Sequence, residues 1–336
     1  MKRSLILIVF LVIIILVAAA SVFFWWGENT RAVSNDSTTQ DFLILKGKSA
    51  SQIGETLYRQ KLIRSPLAFK IYVQLNGKAN RIQSGEFRLS PNLSLYGVVE
   101  KLLSGPTELW VTIPEGLRRE EVVERYVKEL EMDAAKSISF RKEFLEASTN
   151  LEGFLFPDTY LFPRDADAKK AVLRMKEIFD TKVKGEIEGA VKSSDRSLED
   201  IVTMASIIER ETKTNEERPI VAGILWKRLD TEGWLIQADA TLQYANGTKL
   251  CVGKIDCNWW PTFTAKDLEI DSPYNSYKYK ELPPTPIANP GLASIKAAAK
   301  PTTSEFWFYI HDKEGTIHYA TTIEEHNQNV AKFLDK

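Results

Sequence analysis

The chain has 336 residues, 44 basic and 45 acidic side chains, a formal net charge of -1, and 44% hydrophobic against 26% charged residues. That length suits two compact domains plus extras, and the composition is that of ordinary folded protein. The even charge balance argues against a duplex nucleic-acid binder, and two cysteines exclude a disulfide-dense scaffold and a Cys₄ zinc site.

Residues 1–4 make a short tip containing Lys2 and Arg3, and Leu5 to Trp26 carries no charge. A helix over 5–26 reaches about 33 Å, enough for a hydrocarbon core of about 30 Å. The two cations before it favour a cytoplasmic N-terminus, and Trp25-Trp26 closes it where indoles prefer the interface. The competing reading is a cleaved signal peptide, because Ala18-Ala19-Ala20 resembles a cleavage site. The apolar run continues past it through Phe23 and Phe24, and a signal h-region spans only about 7–15 residues, so an uncleaved anchor is the preferred reading. On either reading residues 41–336 lie outside the cytoplasm. Residues 27–40 (GENTRAVSNDSTTQ) are polar and read as a flexible stalk.

Phe42 to Leu45 reads as a strand, Lys46-Gly-Lys-Ser49 as a turn and helix start, with Ile53 and Leu57 at helical spacing. Ser84 to Leu89 is a second strand, followed by a helix from about Ser94 to Leu103 that Ser104-Gly105-Pro106 stops. Leu109 to Ile113 is a third strand, Pro114-Glu-Gly116 a turn, and Val122 and Tyr126 the buried face of a helix. Gly47 and Gly116 stand 69 apart, as do Ile53 and Val122, and Leu57 and Tyr126, which gives a weak repeat of strand, glycine turn and helix. Residues 119–148 and 166–193 read as charged scaffold helices. Helices follow over 197–212 and 217–232, then a Pro-, Asn-, Tyr- and Trp-rich loop over 258–291. Helix 292–299, strands 306–310 and 316–320, and a helix from about Ile323 complete the chain.

The helix over 197–212 carries the chemistry. Ser197 with Asp200 three residues on approximates a capping signal. At about 100° per residue its apolar stripe centres about 20° round from Ile201, with Glu209 near one edge, Glu211 near the other and Arg210 facing away. A carboxyl at the margin of an apolar stripe is partly desolvated, which raises its pKa toward what a general acid needs. The same position also suits a surface carboxylate paired with a nearby cation.

Several strings decide between these. Met204-Ala-Ser-Ile-Ile-Glu-Arg-Glu-Thr212 resembles the signature helix of the endolytic murein transglycosylases, the MltG or YceG-like family. Glu152-Gly-Phe-Leu-Phe-Pro-Asp-Thr-Tyr160, Arg218 to Leu229, Ile236 to Tyr244, Asp271 to Tyr277 with Leu282-Pro-Pro and Ile287 to Gly291, and Phe308-Tyr through His326-Asn327 resemble further family segments in the same order. The likeness spans about 42–336. Ala240 departs from the family's Pro, Lys280-Glu281 from its Gly, and residues 249–260, with Cys251 and Cys257, look like a local insertion.

The resemblance implies an α+β chain: the transmembrane helix 5–26, the stalk 27–40, a small LysM-like βα subdomain over 41–108 and a mixed α/β catalytic domain over 109–336. The LysM likeness is one of pattern, and a βα unit with no wall-binding role is its alternative. The implied function is a membrane-anchored endolytic lytic transglycosylase of the cell inner membrane, single-pass with its catalytic domain periplasmic. It cleaves the MurNAc-β-1,4-GlcNAc bond of nascent peptidoglycan to give 1,6-anhydroMurNAc ends and so terminates strand elongation. Glu209 maps onto the family's catalytic Glu, as acid and then base. One carboxyl suffices when the sugar's own C6 hydroxyl attacks, because the tethered nucleophile needs no positioned water. Gln237 and Asp239, on a predicted strand, and Tyr274 and Asn275, in the loop, are candidate glycan ligands with structural alternatives. Glu211, Glu152 and Asp158 are candidate supporting residues. Cys251 and Cys257 are expected to pair in an oxidising compartment. His311, His318 and His326 lack ligand spacing, so no metal is expected, and no phosphate loop or dinucleotide fingerprint calls for a cofactor. The implied partners are peptidoglycan strands, the membrane and the penicillin-binding protein synthases, with no nucleic acid. The alternatives are a non-catalytic peptidoglycan-binding scaffold, a hydrolytic glycosidase and a lyase on another polymer.

Overall fold

The computed structural model describes residues 2–334. The first helix, α1 (Lys2–Thr30), is continuous, and its apolar part from Val9 has a mean hydropathy of 2.7 and is unburied by the rest of the chain. Among the described residues it is the one helix long and apolar enough to cross a bilayer.

By its internal contacts the chain forms two units. The first takes the chain up to Val111 together with Leu161–Asp165. The boundary expected at 108/109 leaves that returning segment in the other unit. Alternation builds the unit's sheet: Phe42 and Ile44 of β1 (Gln40–Ile44) turn inward while their neighbours face out. Ser49 caps α2 (Ala50–Arg59) with Gln52 completing a capping box, and Ser65 caps α3 (Pro66–Leu75), whose proline takes the first helical turn where no N–H is missed. β2 (Gly85–Leu89) pairs antiparallel with β1, Gln40 facing Leu89 and Ile44 facing Gly85. α4 (Leu95–Leu103) and β3 (Glu108–Thr112) follow. Phe42, Leu57, Phe69, Phe87, Val98 and Leu102 make the core.

The segment expected as a flexible stalk is fastened to this unit. α1 runs on to Thr30, Trp26 Nε1 donates to the Tyr96 hydroxyl at 3.0 Å, and the N–H groups of Val33 and Ser34 donate to the Pro91 carbonyl at 3.0 and 3.2 Å. Arg64 donates to Glu28 at 2.7 Å and to the Ala32 carbonyl at 2.8 Å. Polarity alone predicted freedom, but long-range partners for the backbone oppose it.

The second unit holds Thr112–Tyr160 and the chain from Ala166 on. Its elements are α5 (Arg119–Glu129), α6 (Ala134–Ala147), the start of β4 (Thr159–Pro163), α7 (Ala168–Lys182), α8 (Lys184–Ser193), α9 (Leu198–Glu211), α10 (Glu217–Asp230), α11 (Asp239–Cys251), α12 (Leu292–Ala299), β5 (Phe308–His311), β6 (Ile317–Ala320) and α13 (Ile323–Phe333). β1-β2-β3-β4 is the order of the four-stranded sheet, and β5 and β6 form an antiparallel hairpin. Residues 258–291 are irregular apart from one tight turn at Ala265–Glu269.

α9 starts where expected: the Ser197 hydroxyl accepts from Asp200 N, and Asp200 returns the bond to Ser197 N, both at 3.0 Å. It does not present one apolar stripe. All eight residues from Ile201 to Ile208 are buried, because α10, α11 and α12 pack round it. Residues 236–244, expected as a strand around Gln237 and Asp239, instead turn into α11 at Asp239.

Cys251 and Cys257 form a disulfide at the end of α11, with Cα atoms 5.6 Å apart. The segment just after it lies hard on α11, where a Cβ on Gly247 would come 2.0 Å from the Trp259 carbonyl oxygen. Trp259 and Tyr244 then sandwich the Arg118 guanidinium at 4.5 and 3.9 Å. Replacing both cysteines by serine is expected to lower the stability of this unit by about 2 kcal/mol, a small-loop value. Denaturant melts of the variant against the oxidised chain measure it, and dithiothreitol should bring the parent to the variant's midpoint.

Candidate active site

Two glutamates at the C-terminal end of α9 stand two residues apart and so point to different sides. Glu209 enters a closely bonded polar cluster. Its Oε2 accepts from Gly291 N at 3.0 Å and from the Ser294 hydroxyl at 2.7 Å, and its Oε1 takes Arg218 Nη2 at 3.3 Å. The Glu209 side chain is 7% exposed and that of Arg218 10%. Arg218 is itself held by Ser294 at 2.9 Å and by Asn215. Glu115, on the turn after β3, approaches the same place: a Cβ on Gly291 would lie 1.9 Å from its Oε1, so the Glu115 carboxyl rests directly on the Gly291 backbone. Burial, then the Glu209 charge, raises the Glu115 carboxyl above its usual range.

Glu211 faces a cleft of about 290 Å³. Arg228, Gln237, Asp239, Tyr277, Phe308, Tyr309 and His326 are among the residues lining it with Glu211. Glu211 Oε1 accepts from Ala240 N at 3.0 Å and Oε2 from the Tyr309 hydroxyl at 3.1 Å. These two donors favour the carboxylate, but burial outweighs them, and with the nearby Asp239 charge it pushes Glu211 up to about 7. Burial also raises the Tyr309 phenol well above its ordinary value, so it stays a donor at neutral pH. Arg228 spends its guanidinium on backbone, reaching the Trp307 carbonyl at 2.6 and 2.8 Å and the Ile236 carbonyl at 2.7 Å. It thereby fixes the strand and loop that carry the cleft wall.

Asp239, the first residue of α11, accepts a short hydrogen bond from the Tyr277 hydroxyl. Gln237 sits just before it with φ at +54°, and its N–H donates to the Ser276 carbonyl at 3.0 Å. A left-handed glutamine is strained, and such strain persists where surrounding bonds impose it, commonly at a site. Thus Gln237, Asp239 and Glu211 come together, and Tyr277, Tyr309, Arg228 and His326 join them. Tyr309 and Arg228 were not among the sequence candidates, and only their place in family-like strings could have marked them. His326 Nδ1 is buried without a hydrogen-bond partner, and burial followed by the Arg228 charge lowers its pKa, so the ring is neutral at pH 7.

The remaining candidates lie elsewhere. Asn275 is fully buried, its amide donates to the Leu268 and Ile270 carbonyls at 2.8 and 2.9 Å, and its oxygen accepts from Tyr277 N at 3.0 Å. That geometry ties the loop and leaves nothing for a ligand. The Tyr274 ring lies tilted against that of Tyr244, centroids 4.6 Å apart, and its hydroxyl meets that of Thr285 at 2.7 Å. Asp158 pairs with Lys182 at 2.6 Å. Glu152 is buried, accepting from Arg119 N at 3.1 Å and Asn289 Nδ2 at 2.8 Å.

Burial, then the Glu120 charge, raises the Glu152 carboxyl, while Arg118 and Arg119 pull it back. A raised folded-state value means that the folded chain holds a proton that the unfolded chain has released. Stability from this group is therefore full below about pH 4.5 and is lost as pH rises through the raised value. The melting temperature of Glu152→Gln is expected to fall less than the parent's between about pH 5 and about pH 9, measured by calorimetry.

Residues 42–332 match the YceG-like family, and the chain belongs to it. It is 31% identical to the endolytic murein transglycosylase of Bacillus subtilis strain 168 over 90% of this chain and 87% of that protein. It is 26% identical to the endolytic murein transglycosylase of Streptococcus pneumoniae strain D39 over 87% of this chain and 58% of that one. A crystal structure of a YceG-like protein, lmo1499 of Listeria monocytogenes, superposes with a TM-score of 0.54 at 29% identity, over 87% of this chain and 99% of the other.

Proposed function

We propose that this chain is an endolytic murein transglycosylase that cleaves the MurNAc-β-1,4-GlcNAc bond of peptidoglycan without water. Its relatives' names support the substrate, and the observation that carries the chemistry is Glu211, half-buried at the wall of a polar cleft, with its carboxyl raised to about 7 by desolvation. The motif alone put the acid at Glu209. Glu209 is ion-paired with Arg218 and held by Gly291 N and the Ser294 hydroxyl, which suits a structural acceptor, and it lies outside the lining of the cleft. Glu211 is therefore the assigned proton donor.

Protonated Glu211 gives its proton to the glycosidic oxygen, which leaves as the GlcNAc 4-hydroxyl while the C1–O bond breaks. The MurNAc C6 hydroxyl attacks C1, and the Glu211 carboxylate takes the O6 proton, so the residue ends as it began. A group with a pKa near the working pH can serve both steps. Asp239 supplies negative charge beside the developing oxocarbenium, and the Gln237 amide suits an N-acetyl group. The apolar part of α1 anchors the chain in the cytoplasmic membrane with the chain from residue 41 on outside the cytoplasm, where release of nascent strands beside their synthases ends elongation.

Digestion of purified peptidoglycan tests this. Mass spectrometry should find anhydro ends, lighter by one water than hydrolytic reducing ends, and Glu211→Gln should lose them while remaining folded. Reducing ends would overturn the non-hydrolytic reading, and unchanged products from the variant would overturn the assignment of Glu211.

A further inference from the structure

The first unit carries a second cleft, of about 560 Å³, against the outer end of α1. Its lining includes Glu28 and Asn29 of α1, Tyr58, and three cations, Arg59, Lys61 and Arg64. Glu28 is consumed by Arg64 at 2.7 Å and by Arg31 at 3.2 Å. No carboxylate meets Arg59 or Lys61 among the described residues, and the one bond given to Arg59 is a long contact to the Thr56 hydroxyl at 3.5 Å. Lys61, exposed on the cleft lining, takes a left-handed φ of +56° in the turn that ends α2, where Leu62 N donates to the Leu57 carbonyl at 2.9 Å.

Depth identifies the occupant. Phe23 and Phe24 are 75% and 73% exposed, and Trp25-Trp26 closes the apolar run. Tryptophans at a helix end mark the bilayer interface. Glu28 and Asn29 follow Trp26 by two and three residues, about 3–5 Å further along the axis at the helical rise. The headgroup layer on each side of the hydrocarbon is about 5–7 Å thick. The cleft thus opens at the level of the lipid phosphates, with Tyr58, half exposed, at the same depth. α1 is bound to this unit through Trp26, Arg64 and the backbone of Val33, so the cleft cannot drift from that level.

We propose that this cleft binds the phosphodiester headgroup of an anionic phospholipid, with Arg59 and Lys61 as its ligands and Tyr58 against the glycerol region. The proposal rests on the membrane-anchor reading of α1. It gives the first unit a role of its own, which is to seat the chain on an anionic outer leaflet.

The full chain in nanodiscs of mixed phosphatidylglycerol and phosphatidylcholine provides the test. Native mass spectrometry of the ejected protein should find phosphatidylglycerol retained preferentially. Arg59→Glu with Lys61→Glu should cut that retention at least fivefold. The milder Arg59→Gln with Lys61→Asn, where asparagine tolerates the left-handed backbone, should cut it in the same direction without a charge reversal. Lys169→Glu with Lys170→Glu, exposed on α7, should leave it unchanged. Equal retention by the parent and both cleft variants overturns the proposal while leaving the anchor intact. Displacement of the lipid by millimolar inorganic phosphate also overturns it, because the cleft would then be a free-anion site. A chain that fails to enter nanodiscs at all overturns the anchor and this proposal together.

Discussion

Glu211→Gln is expected to reduce turnover on peptidoglycan by about a thousandfold, the scale of losing a positioned general acid. The fall should sit in kcat with KM little changed, because the amide keeps the carboxyl's shape and can still accept from Ala240 N or the Tyr309 hydroxyl. The pH profile gives an independent check. The reaction starts from protonated Glu211, and burial holds that proton up to about pH 7. kcat/KM should therefore be level on the acid side and fall about tenfold per pH unit above about 7. Tyr309→Phe removes one donor that favours the carboxylate, so it should move the falling limb to higher pH while leaving the acid-side rate near the parent's. A falling limb unchanged in Tyr309→Phe would mean that another group titrates.

The same carboxyl affects stability in the opposite sense from an ordinary surface glutamate. Its folded-state value lies above its unfolded value, so its contribution is present below about pH 4.5 and lost as pH rises through about 7. A site that needs a neutral acid thus carries a stability penalty at the pH where it works, and Glu211→Gln should remove it.

How much of this was legible beforehand depends on where the partners lie. α12 begins and ends where the sequence put it, since Gly291 and a short alanine-rich run are local signals. α9 starts at its own capping residues for the same reason. α11 was misread as a strand because Ile236 to Tyr244 alternates like one, and because Ala240 removed the proline that marks a helix start. The choice between Glu209 and Glu211 was not local at all. The groups that distinguish them come from distant segments: Gly291 and Ser294 for one, Ala240 and Tyr309 for the other. A helical wheel put both near the edges of one stripe, but α9 is enclosed by three helices, and its two edges open onto different surroundings. Asn275 failed as a ligand candidate for a related reason, since a buried amide must satisfy the loop first.

Arg218→Ala is expected to destabilise the second unit by about 3–5 kcal/mol, the cost of leaving a buried partner charge uncompensated. It leaves Glu209 without its guanidinium, and the nearby Glu115 carboxyl makes that worse, because Arg218 lies between two acids at the start of α12. Glu209→Gln should cost a similar amount, since its amide would face Arg218 with a donor. The double variant Glu209→Gln with Arg218→Met should recover much of the loss, as removing both charges leaves neither stranded. Melting measured by calorimetry at one pH reads all three. The activity of the double variant then separates structure from catalysis: if Glu209 acts only through the packing of α9 on α12, recovered stability brings recovered turnover. A double variant that is stable and dead would return the proton donor to Glu209.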